Sequence, residues 1–171
     1  MIIQQATIQY TESYCKAVDT VAKERKYLGA TQGFPLARAR EFVQMIVLNN
    51  FAQYYAIDND EVVGWCDILP KSYEGLLHVG VLGIGILSEY RGKGLGTQLL
   101  HKAIEHAKQL NHIEKIELDV FESNSAAIAL YKKLGFEEEG KREKGRKLDG
   151  VYDNIVLMRK FLTHSPDLVS R

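Results

Sequence analysis

Gly83-Ile84-Gly85-Ile86-Leu87, then Ser88-Glu89-Tyr90, then Arg91-Gly92-Lys93-Gly94-Leu95-Gly96, then Thr97-Gln98-Leu99-Leu100 read in order as apolar strand, short connection, glycine-rich turn and helix. Glycines at 92, 94 and 96 leave backbone N–H groups uncovered by side chains. The helix that follows adds its own unpaired N–H groups and the positive end of its dipole. Such a turn cradles an anion, and a phosphate suits it best. Arg91 and Lys93 flank it, one as a two-donor fork and the other as a mobile point charge. A plain strand-to-helix turn with exposed basic residues accounts for the same letters, so both readings stand at this level.

Elimination narrows the phosphate. Gly94 and Gly96 are followed by Thr97, Gln98, Leu99 and Leu100, so the third glycine of a dinucleotide fingerprint is missing. The Walker pattern fails because Gly94, not Ser or Thr, follows Gly92-Lys93, and Leu87 stands at its first glycine position. What remains is Arg-x-x-Gly-x-Gly at the mouth of a helix. It resembles the pyrophosphate loop of the GCN5-related N-acetyltransferase (GNAT) superfamily, whose members bind acetyl coenzyme A there.

A second motif runs from Ser123-Asn124-Ser125 to Tyr131-Lys132-Lys133-Leu134-Gly135-Phe136. Its own letters describe a short helix: Ser123 or Asn124 as N-cap, alanines inside, and Gly135 as a left-handed stop with Phe136 packing back. Tyr131 alone is left without a reason. The string resembles the superfamily's second signature, in which an asparagine opens the helix beside the pantetheine arm. A tyrosine seven residues later points its hydroxyl at the coenzyme sulfur; Asn124 and Tyr131 match in type and spacing.

The remaining chain fits the same element order. Ile2 to Tyr10 reads as a first strand, and a helix capped by Thr11 ends before Gly29. Tyr27, Leu28 and Phe34 lie in the loop from Arg25 to Pro35, where they either line a pocket or seal a core edge. Leu36 to Leu48 is a second helix. Phe51 to Ile57 and Val62 to Leu69 are strands joined through Asp58-Asn59-Asp60-Glu61, and Leu76 to Leu87 is the central strand. Its glycines, Gly80, Gly83 and Gly85, suggest a bulge or close approach by a ligand. Leu95, Leu99, Leu100, Ala103, Ile104, Ala107 and Leu110 form the core stripe of the next helix, with His101 and His106 assigned to solvent. Lys115 to Phe121 is a fifth strand; residues 136 to 148 and 151 to 158 close the fold as a long hairpin turning at Gly150. The expected fold is α+β, a twisted mixed sheet of about seven strands flanked by about four helices. The resemblance adds a splay between the fourth and fifth strands to admit the coenzyme arm. Residues 1–162 are expected as one domain and 163–171 as a mobile tail.

Composition bounds the partners. A chain of 171 residues buries about 70% of the surface exposed by its unfolded form, so a core needs neither metal nor disulfide. Lys and Arg number 22 and Asp and Glu number 22, giving no global field for nucleic acid or an anionic membrane. Cys15 and Cys66 form no metal-spaced pair, and the N-terminus lacks a signal-peptide pattern, so reduced thiols and a cytoplasmic location are expected. No metal site is expected.

The resemblance implies acetyl transfer from acetyl coenzyme A directly to a primary amine, and several strings, among them Gly150 to Met158, are similar to an amino-acid N-acetyltransferase branch. It places coenzyme against Ile84, Gly85 and Ile86, Arg91, Gly92, Lys93, Gly94, Leu95, Gly96 and Thr97, and against Asn124 and Tyr131. A backbone N–H of the 84–86 segment donates to the thioester carbonyl, and Tyr131 donates to the departing sulfur. Asp119 is similar in position to an acid of the ribosomal-protein acetyltransferases and is the candidate base; an exposed strand carboxylate explains it equally. A peptide or protein N-terminal acetyltransferase and a silent acetyl coenzyme A sensor are the alternatives, and a homodimer is compatible with each.

Overall fold

The computed structural model describes residues 1–162; the expected tail at 163–171 lies outside them. Seven strands form one sheet: β1 (Ile2–Gln5), β2 (Ala52–Asp58), β3 (Glu61–Pro70), β4 (Val79–Ile86), β5 (Lys115–Phe121), β6 (Glu137–Leu148) and β7 (Val151–Phe161). Their spatial order is β1-β2-β3-β4-β5-β7-β6. Helices α1 (Thr11–Lys23), α2 (Leu36–Leu48), α3 (Leu95–Leu110) and α4 (Ser125–Lys133) complete the architecture. Every neighbouring pair is antiparallel except β4 and β5.

Each face of the sheet carries its own core, as strand alternation requires. Tyr14, Val18 and Val21 of α1 pack with Val43 of α2 onto Tyr55, Ile57, Val62 and Trp65. Leu95, Leu99, Leu100, Ala103 and Ala107 of α3 cover the opposite face with Ala52, Cys66, Ile68 and Leu118. Two strand turns use the left-handed region at both central residues, as two-residue hairpins demand: Asn59 and Asp60 (φ 48° and 63°), and Asp149 and Gly150 (φ 51° and 78°).

Four local expectations change. The first strand ends at Gln5, and Ile8–Tyr10 forms a 3-10 turn, so Thr11 is the first residue of α1 rather than its cap; its hydroxyl donates to the Ile8 carbonyl at 2.8 Å. The central strand starts at Val79, after a 3-10 turn over Glu74–Leu76. Leu110 ends α3 and is exposed. His106 is buried, with Nδ1 3.1 Å from the Tyr54 hydroxyl and Nε2 2.9 Å from the Asn50 carbonyl, so it is a satisfied core histidine. His101 is exposed. No helix among the described residues is long and apolar enough to cross a membrane.

Candidate active site

β4 and β5 pair only at Val79–Lys115, Gly80–Ile116 and Val81–Glu117. Beyond that point β4 stays on β3 through Ile86, and β5 stays on β7 through Phe121. Two parallel strands that keep their outer partners while leaving each other open a wedge in mid-sheet. Its closed end is braced at Glu117, whose carboxylate takes Lys71 at 2.5 Å and Lys115 at 2.9 Å; Lys115, then Lys71, holds it below the usual carboxylate range.

A cavity of about 570 Å³ occupies the wedge and is lined by residues from both faces of the sheet. On one face lie the mouth of α3 and the start of α4; on the other lie Val21, Tyr27, Leu28 and Gly29. Of the apolar loop residues, Tyr27 and Leu28 thus border the cavity, whereas Phe34 packs with Tyr14 in the α1 core.

Backbone alternation decides which strand groups face the wedge. Val79 and Leu87 direct theirs to β3 (Lys71 N to Val79 O, 2.9 Å; Leu87 N to Val63 O, 2.9 Å), and β4 has no register shift between Gly80 and Ile86. Ile84 and Ile86 therefore aim their peptide groups the other way, into the wedge. Gly85 lines the cavity, but a Cβ there would stand 2.2 Å from the Trp65 ring. Gly80 and Gly83 likewise make room for Ile68 and Asp67 of β3. The strand glycines answer to their neighbour strand, with neither a bulge nor a ligand needed to explain them.

At the turn, Gly92 and Gly94 take φ of +72° and +79°, and Gly94 is the N-cap of α3. The first helical N–H groups, those of Leu95, Gly96 and Thr97, start at the cavity wall. Arg91 is already committed. Its Nε donates to the Ile86 carbonyl at 2.8 Å, its two terminal nitrogens grip Glu24 at 2.8 and 2.5 Å, and its guanidinium lies 4.6 Å from the Tyr27 ring centroid. That pairing depresses the Glu24 carboxyl and clamps the turn to the end of α1. Lys93 donates to the Glu89 carbonyl at 2.7 Å and is not among the residues lining the cavity.

Asn124 is the N-cap of α4, its Oδ1 accepting from Ala127 N at 3.2 Å. Gly135 stops the helix at φ +84°, with Phe136 N donating to the Tyr131 carbonyl at 2.9 Å. Phe136 then packs on Tyr131, ring centroids 5.7 Å apart. Tyr131 is 5% exposed and lines the wedge; burial first, then the nearby Cys66, raises its hydroxyl above the usual phenol range. Asp119 lines the cavity but is largely exposed, accepting from Arg142 at 2.6 Å.

One group escaped notice in the sequence. Asp67 is the single charged residue between Val62 and Pro70, and an acid inside so apolar a strand was the available signal. It pairs across the sheet with Gly83, and its Oδ1 lies 3.1 Å from where a Gly83 Cβ would be. Asp67 is half-buried, and desolvation by the protein atoms around it pushes its carboxyl up to about 7, against a smaller opposing effect of Gln53. Gln53 is fully buried; its Oε1 accepts from the Tyr55 hydroxyl at 3.1 Å, while its Nε2 has no partner.

Comparison with known proteins agrees with this geometry. An L-amino acid N-acetyltransferase of Escherichia coli (strain K12) is 32% identical over 108 residues, 63% of this chain and 67% of its own. An N-alpha-acetyltransferase of Sulfurisphaera tokodaii is 36% identical over 107 residues, 57% of this chain and 63% of its own. The chain thus spans about two thirds of the length of these relatives. In fold it matches a GNAT superfamily phosphinothricin acetyltransferase from Sinorhizobium meliloti, solved in complex with acetyl coenzyme A, at a TM-score of 0.87 and 18% identity, covering 94% of this chain and 88% of that one. A family model described as acetyltransferase (GNAT) matches residues 20–136, more than half of the sequence, and the chain belongs to that family.

Proposed function

We propose that residues 1–162 form one domain that transfers the acetyl group of acetyl coenzyme A to the primary amine of an amino acid or similar small molecule by direct attack. The observation that carries this reading is the wedge between β4 and β5, whose cavity is bordered by a helix mouth on one face of the sheet and by Val21 and Tyr27–Gly29 on the other. Coenzyme phosphates sit at the N–H groups of Leu95, Gly96 and Thr97, where the α3 dipole favours negative charge. Gly92, Gly94 and the Arg91 clamp shape the turn, and Lys93 adds charge from outside it. Coenzyme enters past Asn124, and its thioester lies along Ile84, Gly85 and Ile86. An N–H of Ile84 or Ile86 donates to the carbonyl oxygen as it gains charge. Tyr131 meets the sulfur. Asp119, at the cavity wall, is the first sequence candidate for taking the amine proton.

A small acceptor is favoured by the closing hairpin. Arg146 on β6 donates to the Arg25 carbonyl at 2.8 Å, and Arg25 pairs with Asp149 at the hairpin tip at 2.9 Å, next to the Tyr27–Gly29 wall. This latch ties the closing hairpin to the loop that borders the cavity on the acceptor side. The N-alpha-acetyltransferase relative supports the second reading, a peptide N-terminus as acceptor. Titration with acetyl coenzyme A followed by initial rates on free amino acids, polyamines and short peptides separates them. Turnover confined to peptides supports the second reading, and binding without turnover on any amine overturns both in favour of a sensor.

The turn has its own test. No atom lies within 4 Å of a Cβ built on Gly94, so Gly94→Ala meets no clash but holds a left-handed φ of +79°. That conformation costs an L-residue about 1–2 kcal/mol. Relaxing it displaces the N–H groups from the phosphates, and coenzyme affinity is expected to fall roughly tenfold in calorimetry. Unchanged affinity in a folded variant removes the turn from the site. Gly96 is a poorer probe, because its Cβ would also press on Leu130 of α4 at 3.1 Å.

A further inference from the structure

We propose that Asp67 is the base that takes the proton of the acceptor amine, with Gln53 as its positioning residue; this rests on the acetyl-transfer reading of the wedge. Asp67 stands on β3 on the same face as the Val21–Gly29 wall, one strand from the wedge. Between its carboxylate and the cavity stands Gly83, which has no side chain and itself lines the cavity. The acid is therefore level with the peptide next to Ile84, where the thioester carbonyl is held. Beneath it, Gln53 keeps a buried Nε2 without a partner. That amide already opposes the upward shift of the Asp67 carboxyl, as a donor beside a carboxylate does by stabilising its charged form.

The groups facing Asp67 are Tyr14 from α1, Gln53 and Tyr55 from β2 and Gly83 from β4; its chain neighbour Cys66 points to the opposite face. Burial raises all three titratable neighbours, so at neutral pH none is charged and no cation depresses Asp67. A carboxyl near 7 is about half ionised at neutral pH and so can take up a proton from an ammonium held against it, as general-base transfer requires. The first proton of R–NH3⁺ passes to the carboxylate. The nitrogen pair then forms the C–N bond and the C–S bond breaks. Loss of the second N–H proton balances the one gained by the thiolate, and Asp67 releases its proton to water.

The wild-type chain should show kcat/KM for free amino acids rising with pH through a midpoint near 7. Asp67→Asn should lose roughly 100-fold or more at pH 7, keep its affinity for acetyl coenzyme A, and lack that midpoint. It should regain activity at higher pH as the amine becomes free base. Stability moves the opposite way. The folded carboxyl sits above its unfolded value of about 3.9, so this group's contribution is full below that value and lost as pH rises through about 7. Asp67→Asn should then melt above wild type at pH 8 and by a smaller margin at pH 5.

Carbon-13 titration of the wild-type carboxyl needs neither variant nor acceptor, and is expected to give a midpoint near 7. A midpoint near 4, wild-type turnover in Asp67→Asn, or a loss seen only in Asp119→Asn overturns the assignment while acetyl transfer stands. Failure of the wild-type chain to bind acetyl coenzyme A overturns the transfer reading and the base with it.

Discussion

Tyr131→Phe is expected to lower turnover by roughly 10- to 1,000-fold with coenzyme affinity nearly preserved, the span of a strong hydrogen bond to developing charge plus acid assistance. The substitution keeps the ring that packs on Phe136 and removes only the hydroxyl. Burial holds that hydroxyl in its neutral, donating form at any physiological pH. A free thiol titrates near 8.5, so full proton transfer from this phenol to the thiolate is uphill, and donation to the charge as it forms carries most of the effect. An interaction made mainly in the transition state appears in kcat and leaves ground-state binding alone. Single-turnover rates with a competent amine check it. Wild-type rates in the variant, where chemistry limits turnover, would reduce Tyr131 to a packing residue.

Gly85→Ala is expected to destabilise the fold by about 1–3 kcal/mol, the usual cost of forcing extra atoms into a packed core. The added methyl would lie 2.2, 2.4 and 2.8 Å from three ring atoms of Trp65. That indole cannot step aside, since it is buried and stands edge-on to Tyr14 at 5.8 Å beneath α1. For a chain of this size the loss corresponds to a melting point lower by roughly 2–12 °C. Trp65 is the only tryptophan, so its emission reports the displacement directly. Gly75→Ala is the control: nothing lies within 4 Å of its Cβ, and a shift below about 0.5 kcal/mol is expected. Equal melting of the two variants would sink the packing account of Gly85.

Local periodicity carried most of the architecture in advance. The α3 stripe, the hairpin turns and the helix from Asn124 to Gly135 are written in spacing and in residues suited to caps and left-handed turns. What stayed hidden depends on partners distant in the chain. Arg91 reads as a free phosphate ligand until Glu24, 67 residues away, is found holding it. The glycines of β4 read as ligand access until β3 supplies Trp65, Asp67 and Ile68. His106 looks like a surface residue because neither Tyr54 nor the Asn50 carbonyl can be placed beside it from helical spacing. Asp67 was legible as an oddity, one acid in an apolar strand, but its line of sight to the wedge passes through Gly83 and exists only in the assembled sheet.

The three-pair junction between β4 and β5 also makes the sheet a gauge. From Leu82 to Ile86 the inner edge of β4 runs about 13 Å without a strand beside it. An extended molecule with amide groups can lie there as a guest strand, trading hydrogen bonds with peptide groups that a protein partner would otherwise take. The pantetheine arm has two such amides. On the proposed reading its anionic end is set by the α3 N-terminus, and its inward reach ends where β4 and β5 pair at Val81 and Glu117. On that reading the span from the helix mouth to the strand junction fixes how long a donor must be for its reacting carbon to come level with Ile84, so acyl carriers would be selected by length as well as by chemistry.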